Sequence, residues 1–142
     1  MKIKEIMTRD VETINPETEL VDAAKMMRDM DVGVLPVTNG KALSGVLTDR
    51  DIVIRSTAEG NDPKDQKTGK IITDNVAWCY EDEEVEEASS KMKENKIRRL
   101  PIVDRENQLV GIVSLGDLAV EADEKMAGET LEEVSKPNRP ER

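Results

Sequence analysis

Two short stretches carry the residue types that could do chemistry: Gly45-Val46-Leu47-Thr48-Asp49-Arg50-Asp51 and Gly111-Ile112-Val113-Ser114-Leu115-Gly116-Asp117. Both read glycine, two apolar residues, a hydroxyl, two variable residues and an aspartate. In each, β-forming residues run into Thr or Ser where a helical pattern begins, which puts the hydroxyl and the acid on the first turn of a helix that follows a strand. The first amides of a helix lack intrahelical partners and carry partial positive charge, so a phosphate there gains both hydrogen bonds and field. The aspartate suits a neutral vicinal diol such as a ribose, because a carboxylate accepting from two hydroxyls forms charge-assisted bonds, whereas it would repel the phosphate itself. The same spacing also describes a capping box that only closes a helix start. Taken alone, each copy reads as a cap. Asp is shorter than the Glu or Gln that commonly reaches back, which favours the binding reading slightly, and the duplication favours it more.

The composition narrows the chemistry further. A chain of 142 residues, 37% hydrophobic and 37% charged, is long enough for one compact domain or two small halves. Aromatic residues make up only 1%, so Val, Ile, Leu, Ala and the seven Met must build the core. With no His and one Cys, His-based triads and Cys/His zinc sites are excluded by inventory. Cys79 has no partner for an internal disulfide, which fits a cytoplasmic location, and Met1-Lys2-Ile3-Lys4-Glu5 starts no signal peptide. No run approaches the roughly 20 apolar residues of a membrane span. A net charge of −10 argues against a nucleic-acid backbone as partner, and single-strand binding lacks its stacking aromatics. Nucleotides stay possible, since screening over about 8 Å lets nearby arginines outweigh a distant acidic surface.

The elements that must position the two stretches also come in pairs. One constant offset relates Ile6 to Ile71, Val11 to Val76, Ala23 to Ala88, Met27 to Met92 and Pro36 to Pro101, and one inserted residue then pairs Asp51 with Asp117. The repeat is tandem and only two copies long. Each copy predicts an opening segment at 3–7 or 68–72 and an extended piece at 11–14 or 76–80. A helix follows, whose buried stripe is Leu20, Ala23, Ala24 and Met27, or Val85, Ala88, Ser89 and Met92. Then comes a hairpin, 34–37 with 43–47 through Asn39-Gly40, or 100–103 with 109–113 through residues 104–107. Pro36 and Pro101 suit an edge or a bulge. The last helix starts at Thr48 or Ser114. Each half is therefore β-α-β-β-α, an α+β unit with a small sheet backed by two helices. The expected boundaries are 1–58 for the first half, a polar linker at 59–67, 68–127 for the second half, and 128–142 for a short capped helix at 129–134 with a loose tail from 136.

With Asn15-Pro16-Glu17-Thr18-Glu19-Leu20 opening the first helix, Leu35-Pro36-Val37 and Leu100-Pro101-Ile102-Val103-Asp104 on central strands, and the two hydroxyl–aspartate stretches in register, nearly the whole chain resembles a pair of CBS domains, the Bateman module. The resemblance implies two motifs packed sheet to sheet with pseudo-twofold symmetry, two clefts between them, and a homodimer of such pairs in a flat disc. It implies adenosine-containing ligands: AMP, ADP, ATP, S-adenosylmethionine or NAD. Carried over by position, Asp117 would hold a ribose and Ser114 approach its phosphate, with Thr13, Val32, Gly33 and Val34 near the base. Asp51 and Thr48 would do the same for a second ligand, with Trp78, Ile97 and Arg98 near its base. Val32, Val34 and Ile97 fit ordinary core positions equally well, and Trp78 could be the one large residue under the second sheet.

The two sites are unequal. Arg98 and Arg99 stand where the first repeat has Gly33 and Val34, and guanidinium forks suit phosphate oxygens, so the Asp117 site is the expected tighter one. Arg50 could partly compensate in the other, or be a solvated surface charge. Asp49, Glu81 and Asp82 are read as surface acidity rather than a Mg²⁺ site; no metal and no obligatory cofactor are expected. The function expected is a ligand-sensing regulatory module, a homodimer acting on an unseen protein partner, with no membrane or nucleic-acid role. A purely structural dimerisation unit is the alternative. Catalysis is not expected: relatives in this family include inosine monophosphate dehydrogenase, but its barrel alone needs about 250 residues.

Overall fold

The structure, a computed structural model, describes residues 1–137; the end of the expected tail, 138–142, lies outside the described residues. Two compact units emerge. Glu12–Val76 with Asn107–Leu109 form one, and Met1–Val11, Ala77–Glu106 and the described residues from 110 onward form the other. The opening segment of each repeat is therefore found in the unit built on the other repeat.

In the unit built on the first repeat, helix α1 (Leu20–Met30) is followed by strands β1 (Val34–Asn39) and β2 (Ala42–Thr48) and the short helix α2 (Asp49–Ile52), which runs on as a π-helical turn over Val53–Thr57. The buried face of α1 is Leu20, Ala23 and Met27, as the 3.6-residue spacing predicts. These residues meet Leu35, Val37, Leu47, Ile14 and Ile71 in one core. Strands β1 and β2 pair antiparallel with a bulge between Val37 and Thr38. Gly40 takes φ +65 in their turn, a conformation glycine adopts without steric cost. The expected strand at 11–14 reduces to one bridge, with Ile14 donating to the Pro36 carbonyl at 3.1 Å and accepting from Thr38 at 2.8 Å. That bridge lies on the side of β1 toward which the proline nitrogen points, so Pro36 removes no bond from the β1–β2 ladder.

Residues 66–73 complete this unit. The Gln66 carbonyl accepts from the Leu20 amide at 2.8 Å, capping α1, and the buried Thr68 donates its hydroxyl to the Asn15 carbonyl at 2.9 Å. Buried Ser56 is hydrogen-bonded to Gln66. Thr73 then bridges Val46 on the outer edge of β2 through two bonds of 2.9 Å. A Cβ on Gly45 would run into the Thr73 carbonyl oxygen, which is why the chemical motif must begin with glycine.

The other unit repeats this plan. Strand β3 (Cys79–Tyr80), helix α3 (Val85–Asn95), strands β4 (Arg99–Val103) and β5 (Leu109–Ser114) and the single turn α4 (Leu115–Asp117) continue into a π-helical stretch, Leu118–Ala122, and helix α5 (Glu124–Ser135). The sheet order is β3-β4-β5, with β3 parallel to β4. Met1 caps α3 by accepting from the Val85 amide at 3.0 Å, Ile3, Ile6 and Met7 enter the core, and Thr8 bridges Ile112 at 2.8 and 3.0 Å. A Cβ on Gly111 would stand 2.8 Å from the Thr8 carbonyl oxygen.

Helix α5 is longer than the expected 129–134 because Asp123 caps it, accepting from Lys125 at 2.9 Å and Met126 at 3.4 Å. It docks on α3 through a buried hydroxyl pair, Ser89 with Thr130 at 2.7 Å. Thr130 also donates to the Met126 carbonyl, so neither buried hydroxyl is left without a partner.

Gly45→Ala is expected to destabilise the protein by about 1–3 kcal/mol through overpacking against backbone. Gly128→Ala in α5, where a Cβ meets nothing within 4 Å, should be neutral or stabilise by up to ~1 kcal/mol. Urea unfolding of both variants checks the contrast.

Candidate functional site

Each hydroxyl–aspartate pair folds back on itself. Thr48 Oγ1 accepts from the Asp51 amide at 3.0 Å while Asp51 Oδ2 accepts from the Thr48 amide at 3.0 Å. Ser114 and Asp117 make the same pair of bonds at 3.0 and 2.8 Å. Both are complete capping boxes, so the shorter Asp does reach back, contrary to the expectation drawn from its length. The cap uses one carboxylate oxygen and one hydroxyl lone pair. The second oxygen and the hydroxyl proton remain for a ligand.

What surrounds the two boxes differs. Asp51 is 8% exposed, and its second oxygen lies 3.7 Å from Arg55 Nε. Asp117 is half-buried, and among the described residues no ion pair engages its carboxylate. The helix-start amides are also spent unequally. In the first copy the Asp49 amide donates to the Gly33 carbonyl at 3.0 Å and the Arg50 amide to Asp49 Oδ1 at 2.8 Å. In the second copy the Leu115 amide donates to the Arg98 carbonyl at 2.9 Å, and no side chain among the described residues caps Gly116.

The charge contrast runs the same way. In the first copy the Asp49 carboxylate crowds the Gly33 Cα, so that a Cβ there would lie 3.0 Å from Asp49 Oδ2. An anion would meet a fixed negative charge at that place. The second copy has Leu115 instead of Asp49, and Arg98 and Arg99 instead of Gly33 and Val34. Both arginines are exposed and, among the described residues, neither guanidinium has a carboxylate partner. Arg50 is exposed too, but it stands beside Asp49.

A cavity of about 590 Å³ opens in the second-repeat unit. Arg98, Arg99 and Ser114 line it together with the Leu115-Gly116 backbone turn, and α5 supplies the facing wall through Glu124, Ala127, Gly128 and Leu131. Asp117 stands next to this cavity along the chain but is not one of its lining residues. Of the expected residues, the structure thus gathers Arg98, Arg99 and Ser114 around one space. Thr48, Asp51, Gly33 and Val34 belong to the first-repeat unit with exposed Thr13, and Val32 packs against that unit's core. Ile97 packs against the second core.

Trp78 is not under the sheet. It is 37% exposed and meets Tyr80 edge to face with ring centroids 4.9 Å apart. Arg105 stacks 3.9 Å from the Tyr80 centroid and forks onto Asp82 at 2.8 and 3.0 Å. That hydrogen-bonded guanidinium holds the Asp82 carboxyl below the usual carboxylate range. The α5 wall was missed from sequence; its signals are the Asp123 cap and the small Ala127-Gly128 pair.

Cys79 contributes no chemistry to the site. It is fully buried on β3, and burial pushes its thiol up to about 12. Native protein at pH 8 is expected to resist alkylation by iodoacetamide, with reactivity appearing only in denaturant; labelling followed by mass spectrometry checks this.

The CBS domain family model matches residues 3–56 and 69–124. The chain is 42% identical to the CBS domain-containing protein YhcV of Bacillus subtilis over 137 residues, 96% of each chain. It is 36% identical to hypoxic response protein 1 of Mycobacterium tuberculosis over 117 residues, 82% of this chain and 81% of that one. Among solved structures, hypoxic response protein I with two coordinated zinc ions superposes with a TM-score of 0.79 at 33% identity, covering 85% of this chain and 98% of that one. The CBS domain pair of protein MJ0100, in complex with 5′-methylthioadenosine and S-adenosyl-L-methionine, gives 0.73 at 28% identity, covering 84% and 97%.

Proposed function

This chain belongs to the CBS domain family, in two copies, and from that premise we propose that it is a regulatory module that binds an adenosine-containing ligand beside the second hydroxyl–aspartate pair. The observation that carries the reading is the meeting of two guanidiniums without a carboxylate partner among the described residues, Arg98 and Arg99, with the Ser114 hydroxyl around one cavity. Arginine forks bind phosphoryl oxygens bidentately, and the Gly116 amide, which no side chain among the described residues caps, adds a donor. Asp117 offers its second carboxylate oxygen to ribose hydroxyls. The MJ0100 pair, in complex with two adenosine compounds, supports this choice of ligand class. The role is regulatory rather than catalytic: the sequence holds no His, and its one Cys is buried with its thiol raised. The zinc ions of hypoxic response protein I are not carried over, because His and Cys ligands are nearly absent from this chain.

A homodimer is the assembly proposed. At corresponding positions of the two repeats the π-helical turns present an apolar side chain to solvent, Ile54 in the first, with Val53 beside it, and Val120, 80% exposed, in the second. A twofold interface uses the same patch on both subunits, so an exposed apolar turn can pack on its counterpart in a second copy. Val120→Glu with Ile54→Glu should shift the protein to monomer in light scattering.

Isothermal titration with AMP, ATP, S-adenosylmethionine and NAD tests the ligand class. Asp117→Ala is expected to weaken binding roughly ten- to a hundredfold, the equivalent of about 1.5–3 kcal/mol for a charge-assisted bond. Arg99→Ala should weaken ATP more than adenosine. Unchanged affinity in folded Asp117→Ala would show that the ribose lies elsewhere, and equal weakening of ATP and adenosine by Arg99→Ala would remove the phosphate role.

A further inference from the structure

The cavity beside Ser114 holds one feature that the general reading does not use. Its walls carry two cations and one anion: Arg98 and Arg99 on the β4 side and Glu124 at the first position of α5. Glu124 makes no ion pair with either arginine, although all three border the same space. If its role were to neutralise them, contact would be expected. Asp123, not Glu124, provides the side-chain cap of α5.

The two guanidiniums and the Ser114 hydroxyl supply enough donors for the oxygens of one phosphoryl group. A second and third phosphoryl group would bring further negative charge into a space that already contains a carboxylate. On the α5 wall Gly128 has open space where a Cβ would be, beside Leu131 and the small Ala127. Glu124 is the one acid among the lining residues, so charge is a means of discrimination at this wall.

We infer that Glu124 is a specificity-determining residue that restricts this site to a nucleoside monophosphate and disfavours the di- and triphosphate. This rests on the nucleotide reading above and names the member of that class. The competing explanation is local: an acid in the first turn of a helix favours the helix dipole whatever the ligand. It predicts lower stability on substitution and no change in ligand preference.

The test is titration of the full chain with AMP and with ATP in EDTA, for the native protein, Glu124→Gln and Glu124→Ala. Glu121→Gln serves as control, an exposed acid on the preceding turn that does not line the cavity. Native protein should bind AMP more tightly than ATP. Both Glu124 variants should raise ATP affinity on the order of tenfold, as removal of one like charge within a few ångströms of the added phosphates predicts, with AMP changed about twofold or less and the control unchanged. AMP binding with an AMP-to-ATP ratio unaltered by either Glu124 variant overturns this inference and leaves the nucleotide reading standing. Failure of both nucleotides to bind any of these proteins overturns both.

Discussion

The structure depends on a reciprocal backbone contact at two glycines. Thr73 bridges the strand edge beside Gly45, and Thr8 bridges the edge beside Gly111. In each case a segment that opens one repeat lies against the strand that leads into the other repeat's hydroxyl–aspartate pair. The same segments cap the long helices, with Gln66 accepting from Leu20 and Met1 from Val85, and they supply Ile71 to one core and Ile3, Ile6 and Met7 to the other. A helix amide, a strand edge and part of a core would all lose their partners if a repeat stood alone. Unpaired backbone groups and missing apolar contacts are each costly, so the two repeats are folded by exchange.

That exchange delivers each strand β2 and β5 to its helix start in a set geometry, and the capping box then locks the turn. A cap and a binding site are not rival descriptions of these residues. Carboxylate and hydroxyl each have more than one hydrogen-bonding direction, and the cap consumes only one of them. Holding the side chains by their own backbone also limits the rotamer freedom a ligand would have to remove.

The asymmetry between the copies comes from a few neighbours rather than from the motif. Asp49 and Arg55 surround the first pair with charges already engaged or repulsive to anions, whereas the second has Leu115, Arg98 and Arg99 in its neighbourhood, with Glu124 across the cavity. On a chain with a net charge of −10, such local cations matter because screening confines the influence of the remaining surface. Helix α5 adds a wall only to the second copy, anchored to α3 by the buried Ser89–Thr130 bond.

The sequence by itself determined the repeat, the β-α-β-β-α order and the paired motifs, because these depend on local rules: a 3.6-residue stripe on α1 and α3, turn residues such as Gly40, and a hydroxyl three places before an acid. It also announced the unequal arginines, since position within a repeat is enough to align them. Only the tertiary structure decided where the opening segments pack, since a stretch such as 3–7 is equally apolar toward either core and its partner edge is distant along the chain. It likewise decided that Trp78 stands at the surface against Tyr80, that Gly45 and Gly111 serve close backbone approach, and that α5 faces the arginines. Each of these is a contact between residues far apart in sequence, set by which surfaces remain unsatisfied once the local elements have formed.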